Sequence, residues 1–254
     1  MDNNKNKYQY NFSEMHHEEM YNRRGREKKA KTMVSVLQDF IGTDLKSLTL
    51  LDFGSSTGII ANYLANHFGK VVGIDIDQPA VEFATANFKK DNLEFVQADS
   101  LKSEMQESYF DAVICAHIYE HVPDASVMMD EIHRLLKPGG ICYFAAGNRL
   151  NIMEPHYQLP FLSVIPRPLA HIYIRWAGKG ESYYEKHLSY WGLKRLVRKF
   201  EIVDYTRPMI ENPQRFSADY LLQPGAIKTS LARWGVKYAY WLVPGYIWLL
   251  KKKV

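Results

Sequence analysis

Two cysteines among 254 residues cannot build a disulfide framework or a cysteine-ligated zinc site. Both, Cys115 and Cys142, lie in apolar runs that read as buried strands, so a reducing, cytoplasmic setting is expected. No stretch reaches the ~18 consecutive apolar residues that a membrane-spanning helix requires. The opening, MDNNKNKYQYNFSEMHHEEM, is polar where a secretory signal would be apolar. Glycine and proline, at 15 and 11, are too sparse for a collagen-like or low-complexity chain, and no internal repeat is present. A pI near 8.8 is modest, and no nucleic-acid-binding module accompanies it. Secreted, integral-membrane and nucleic-acid-binding readings are therefore set aside.

The net charge of +4 conceals a division. Residues 51–144 carry 6 Lys/Arg against 14 Asp/Glu, whereas residues 145–254 carry 17 against 7. All five tryptophans, Trp176, Trp191, Trp234, Trp241 and Trp248, fall in the basic part. The chain divides its labour between an acidic middle and a basic, aromatic end.

Within the middle, short apolar runs alternate with helical periods. Lys28–Ile41 reads as an amphipathic helix stopped by Gly42, and Leu48–Phe53 as a strand. A helix over Ile59–His67, a strand at Lys70–Ile74 and a helix capped by Asp77 with Pro79 in its first turn follow. Leu93–Gln97 and Phe110–Ala116 read as strands, Ala125–Leu136 as a helix, and Ile141–Ala146 as a strand after a Pro138-Gly139-Gly140 turn. Continuous apolar strands separated by helices predict a doubly wound α/β fold with a sheet covered on both faces. Residues 148–188, rich in proline, aromatics and histidine, show no stable period and are expected to insert over the carboxyl ends of the strands. Order resumes with a helix at Ser189–Lys199, a strand at Glu201–Arg207, a helix within Ser230–Leu242 and a last strand at Tyr246–Lys251.

The stretch LLDFGSSTG, residues 50–58, ends a strand in a glycine-bearing turn that opens a helix. Gly54 lets a ligand approach the backbone, and Gly58 permits close helix–strand packing. Asp75 ends the next strand 21 residues after Gly54, where a carboxylate can accept both hydroxyls of a ribose. These features predict a bound nucleoside. A dinucleotide is disfavoured, because Ser56 stands at the middle glycine of the usual fingerprint and Asp52 would repel a diphosphate. Asp52 would instead attract a cation such as an amino acid's ammonium group.

On these residues the chain resembles the class I S-adenosylmethionine-dependent methyltransferases that modify small molecules such as quinones, over about residues 48–146. The resemblance implies a Rossmann-like sheet, mostly parallel with an antiparallel last strand, plus a helical and loop lid. It implies S-adenosyl-L-methionine as cofactor, with LLDFGSSTG as first motif supplying Asp52, Gly54, Ser55, Ser56 and Gly58. GIDID then places Asp75 on the ribose and Ile76 against the adenine, and FVQADSL places Asp99 and Ser100 at the adenine amino group. FDAVICAHIYEHV places Ala116 and His117 near the methionine moiety and transferred methyl, and LLKPGGICYFAAGN matches the fifth strand. The expected organisation is an arm and helix at 1–44, the cofactor-binding core at 45–147, an acceptor lid at 148–188, and elements completing the sheet at 189–254.

Methyl transfer to a hydroxyl needs alignment and a proton acceptor. Candidates are His156, on a proline-stiffened loop after the fifth strand, Glu120 and His121 after the fourth, and His187 among tyrosines. His156 is the first choice as base, and the availability of such bases favours O-methylation. No H-x-x-H or paired-carboxylate spacing appears, so no metal is expected, and His16 and His17 are expected to be solvated. The acceptor is expected to be small and apolar or lipid-linked, and the apolar lid rimmed by Arg167 and Arg175 would also suit an anionic one. Trp and Tyr between Trp234 and Trp248, followed by Lys251–Lys253, allow peripheral membrane contact as well as ordinary sheet-edge packing. A non-catalytic adenosyl-binding regulator is the alternative reading, since fold and motif do not by themselves specify chemistry.

Overall fold

Residues 10–223 and 226–253 are described by the computed structural model. The strands are β1 (Thr49–Phe53), β2 (Lys70–Asp75), β3 (Leu93–Gln97), β4 (Phe110–Ala116), β5 (Leu136–Gly147), β6 (Phe200–Asp204) and β7 (Gly245–Lys252). The helices are α1 (Phe12–Met15), α2 (His17–Met20), α3 (Arg23–Ile41), α4 (Ile59–Leu64), α5 (Gln78–Asn87), α6 (Ala125–Leu135), α7 (Arg167–Trp176), α8 (Tyr190–Leu196), α9 (Thr206–Glu211) and α10 (Ile227–Tyr238). The strands form one sheet in the order β3-β2-β1-β4-β5-β7-β6. β1 pairs in parallel with β2 and β4, and β7 runs antiparallel to both β5 and β6. This is the doubly wound sheet that the strand and helix pattern predicts, mostly parallel with the antiparallel last strand that the resemblance implies.

Alternation along each strand divides the core between two faces. Leu51, Phe53, Val113 and Phe144 face α6, α8 and α10, together with Met128, Ile132, Leu193 and Val236. Leu50, Val71, Ile114 and Tyr143 face the other way, with Val36 and Leu37 of α3 and Leu64 of α4. Cys115 and Cys142 are buried free thiols in the first of these faces. Local chemistry stops the helices where expected: Gly42 ends α3 at φ +69°, and Asp77 caps α5 by accepting from the Ala80 N–H.

Three expectations are corrected. Pro138-Gly139-Gly140 is not a separate turn before the fifth strand: β5 starts at Leu136, and Lys137–Gly140 bulge out opposite Asp111 alone. Arg207 lies in α9 rather than at the end of a strand, because the backbone turns to helical angles at Tyr205, whose N–H makes the last backbone bond to β7 at Ile247. α7 lies inside the segment read as aperiodic. Ala170 and Ile174 are buried and Leu169, Ile172 and Trp176 exposed, an amphipathic period of only ten residues set among prolines.

Gly58 tests the packing at the front of the sheet. It sits at φ +72°, and a β-carbon there would lie 2.6 Å from both the Ala84 Cβ and the Phe95 ring. Gly58→Ala combines backbone strain with overpacking and is expected to cost about 3 kcal/mol. Differential scanning calorimetry should show a fall in Tm of roughly 6–12 °C.

Candidate active site

β1 and β4 are neighbours, and the chain leaves them in opposite directions, opening a crevice at their carboxyl ends. In the turn after β1, the Gly54 and Ser55 N–H groups both donate to the Ile74 carbonyl at 2.9 Å. Gly54 and Ser56 adopt φ of +80° and +48°, so the backbone curls and pulls Ser56 against Asp75. The Ser56 N–H donates to Asp75 Oδ2 at 2.7 Å, and the Asp77 N–H donates to Oδ1 at 2.9 Å. Burial raises the Asp75 pKa, and these backbone donors act against that rise.

Around this turn, four buried polar atoms have no hydrogen-bond partner: Asp52 Oδ2, Ser55 Oγ, Ser56 Oγ and Arg26 Nε. Burial pushes Asp52 up to about 7; the Arg26 guanidinium opposes this shift and the Asp75 carboxylate adds to it. Arg26 comes from the first turn of α3, which begins at Arg23, ahead of the Lys28 start expected from the sequence. Sequence reasoning missed it, since no spacing relates it to Asp52. Beyond Asp75 lies a cavity of about 370 Å³ lined by Tyr10, Asn11, Ile76, Gln78, Pro79, Glu82 and Gln97. The Ala98 N–H bonds to the Asp75 carbonyl, which brings Asp99 and Ser100 alongside, and Asp99 Oδ1 accepts from the Leu101 N–H.

The N-terminal segment lies across this crevice. The Ser13 N–H donates to Asp77 Oδ2 at 2.7 Å, and Thr57 Oγ1 donates to the Met20 carbonyl at 2.7 Å. His16 is therefore half-buried against Phe12 and near His156, not solvated as expected, whereas His17 is exposed and stacks on Tyr21. The correction follows from α1 docking on α5, a contact between distant segments.

After β4, His117 takes φ +59° and donates its N–H to Ala145, directing the HIYEH segment over the strand ends. Glu120 is 1% exposed, and neither carboxylate oxygen has a hydrogen-bond partner; His117 Nδ1 stands 3.6 Å away. His121 packs edge-on to His156 with ring centroids 4.9 Å apart, and its Nδ1 lacks a hydrogen-bond partner. Burial lowers its pKa to about 4, leaving the imidazole neutral at neutral pH.

The lid brings the remaining groups. Asn148, buried where β5 ends, donates through its side chain to the Trp241 and Val243 carbonyls at 2.9 Å, fixing where the lid departs. Glu154 is fully buried, and its Oε1 accepts from His156 Nδ1 at 2.8 Å and from His187 Nε2 at 3.3 Å. Burial works to raise the Glu154 pKa, but these two imidazoles and the Tyr157 N–H outweigh it and hold it at about 2. The structure thus unites Glu120, His121 and His156, with ligand-type atoms within 4.8 Å of one another, and joins His187 to them through Glu154. Glu154 stands in the segment singled out from sequence, but its partner His187 is 33 residues away, so only the fold reveals the pair.

Residues 51–144 match the family model described as a methyltransferase domain. The demethylmenaquinone methyltransferase of Lactococcus lactis is 32% identical over 131 residues, covering 48% of this chain and 52% of the relative. A ubiquinone biosynthesis O-methyltransferase of Pseudomonas syringae is 33% identical over 110 residues, covering 42% and 47%. The chain therefore spans about half the length of the curated relatives it matches. Among solved structures, phosphoethanolamine N-methyltransferase 2 of Haemonchus contortus, in complex with S-adenosyl-L-methionine, has a TM-score of 0.53 at 19% identity, covering 87% of this chain and 51% of that one. At that identity the likeness speaks for the fold. Over its acidic core, residues 51–144, the chain is thus similar to a methyltransferase domain.

Proposed function

We propose that the protein transfers the methyl group of S-adenosylmethionine to an oxygen of a small, apolar acceptor. The observation that carries this reading is the set of unpartnered buried atoms at the Gly54 turn, which pairs a carboxylate, Asp52, with a guanidinium, Arg26. A buried site offering both charges fits a zwitterionic amino acid, the methionine end of the cofactor. Asp52 and the Gly54 backbone would hold the ammonium, Arg26 the carboxylate, and Ser55 and Ser56 the remaining polar edge. Gly58 keeps α4 close to the turn. Asp75 retains acceptor capacity for the ribose hydroxyls beside its two backbone bonds, with Ile76 against the adenine and Asp99 and Ser100 at its edge. Ala116 and His117 would flank the reacting methyl.

The cofactor supplies an electrophilic methyl on sulfur, and its leaving thioether needs no acid. The protein's part is alignment, exclusion of water and removal of the acceptor proton. Glu120, His121 and His156 line the acceptor side under the lid. The Nδ1 of His156 is engaged with Glu154, whereas that of His121 is open, so His121 is the nearer proton acceptor and His156 the group that orients the hydroxyl. Availability of these bases favours O-methylation. Outside, Leu169, Ile172 and Trp176 of α7 are 56%, 56% and 84% exposed, in a row flanked by Arg167 and Arg175. No helix among the described residues is long and apolar enough to cross a membrane. The α7 row supports contact with an anionic lipid surface from which an apolar acceptor would enter.

Calorimetric titration with S-adenosylhomocysteine, with NADH as control, is expected to show binding of the adenosyl ligand alone, lost in Asp75→Ala. Tighter binding of NADH would sink the reading. Because ionised Asp52 is the form that meets an ammonium group, affinity should rise as pH rises through about 7, between the facing charges of Arg26 and Asp75. Binding at pH 6 is expected to be roughly eightfold weaker than at pH 7.5, a difference that Asp52→Asn abolishes. Co-sedimentation with anionic liposomes at low salt, reduced in Trp176→Ala, tests the outer face of α7; neutral liposomes should capture less.

A further inference from the structure

We propose that Glu154, His156 and His187 form a binding site for a divalent transition-metal ion, placed at the acceptor end of the crevice. Glu154 Oε1, one nitrogen of His156 and one of His187 lie within 4.8 Å of one another. All three side chains are withdrawn from solvent, at 0%, 11% and 3% exposure. A carboxylate oxygen between two imidazole nitrogens, at 2.8 and 3.3 Å, needs little movement to converge on one cation in place of the shared protons. Two imidazoles and one carboxylate make a mixed nitrogen and oxygen donor set, which suits zinc, manganese, iron or cobalt better than magnesium or calcium. Three protein ligands leave coordination positions open, the arrangement of a reactive rather than a structural site.

The scaffold around the ligands is built to hold them. Pro155 separates Glu154 from His156, and the Gln158 N–H closes the turn onto the Glu154 carbonyl at 2.9 Å. Glu154 Oε2 accepts from the Tyr157 N–H, which orients the carboxylate from its far side. His187 is fixed through its neighbour Leu188, whose N–H reaches Tyr119 Oη and whose carbonyl accepts from the Arg149 N–H. A second observation points to a cation. Glu120, 1% exposed and facing only imidazoles, with His117 Nδ1 3.6 Å away, lies in a group with His121 and the same His156. A buried carboxylate without a hydrogen-bond donor calls for positive charge nearby.

The ion's use rests on the methyl-transfer reading, although its binding does not. An acceptor hydroxyl coordinated at an open position becomes more acidic. Its proton passes to His121 Nδ1, the oxygen forms its bond to the methyl carbon, and the carbon–sulfur bond breaks with its electron pair going to sulfur. The ligands come from two loops 33 residues apart, which explains why sequence spacing predicts no metal.

The test uses the full chain, stripped with a chelator and titrated with Zn²⁺ by calorimetry and with Co²⁺ by visible absorption. Binding of one ion per chain is expected, with affinity falling by roughly two orders of magnitude in Glu154→Gln and in His187→Gln. His156→Asn, at a partly exposed position, serves if either of these fails to fold. S-adenosylhomocysteine binding by each variant reports an intact fold and tests the cofactor reading separately. A protein that binds S-adenosylhomocysteine but takes up neither ion overturns the metal site and leaves the cofactor reading standing. Ion binding unchanged in all folded variants places the ion elsewhere and equally overturns it.

Discussion

One carbonyl, that of Ile74, receives the N–H groups of both Gly54 and Ser55, and the geometry of the crevice after β1 follows from that pair of hydrogen bonds. It ties the turn after β1 to the end of β2. The backbone must then curl through positive φ at Gly54 and Ser56, which brings the Ser56 N–H onto Asp75. Asp52, one pleat below, is left buried with one oxygen unpartnered. The same curl places α4 so close to α5 and β3 that only a residue without a β-carbon fits at position 58.

Burial makes this arrangement costly without a ligand. A carboxylate withdrawn from water prefers its neutral form unless a cation compensates it, and Arg26 only partly does so for Asp52. The site is thus electrostatically incomplete in a way that an ammonium group would repair. The region around Glu120 and Glu154 follows similar physics with different partners. Glu154 is satisfied by two imidazoles and a backbone N–H, whereas Glu120 has no hydrogen-bond donor. The arm, the loop after β4 and the lid all press aromatic or imidazole rings into this space, and Phe12 meets His121 at 4.7 Å. Enclosure on that side excludes water, which strengthens every charge interaction within it.

The lid belongs to the sheet less by packing than by anchoring. It has its own small apolar cluster of Leu159, Leu162, Ala170, Ile174 and Tyr183. Asn148 joins it to the segment before β7, and Tyr119 Oη joins both of its ends, donating to the Gly147 carbonyl and accepting from the Leu188 N–H. A lid hinged at those points keeps Glu154 and His187 in register with the strand ends.

Strand alternation, helix caps and the turn LLDFGSSTG were legible because each is local: periodicity and φ preference act over a few residues. The strands and helices of the sheet and the clustering of Asp52, Gly54 and Asp75 at its edge follow from such signals, whereas the antiparallel last strand was expected only from the family resemblance. Arg26 was not legible, since a guanidinium in a basic helical run looks solvated until α3 packs against the sheet. α7 was hidden because its amphipathic period runs for only ten residues among prolines. Tertiary structure alone decided that His16 would be half-buried, that Glu154 would meet His187, and that Glu120 would lose its hydrogen-bond partners. The physical reason is that burial and charge pairing depend on which distant segments dock, and sequence spacing carries no measure of distance once the chain has folded back on itself.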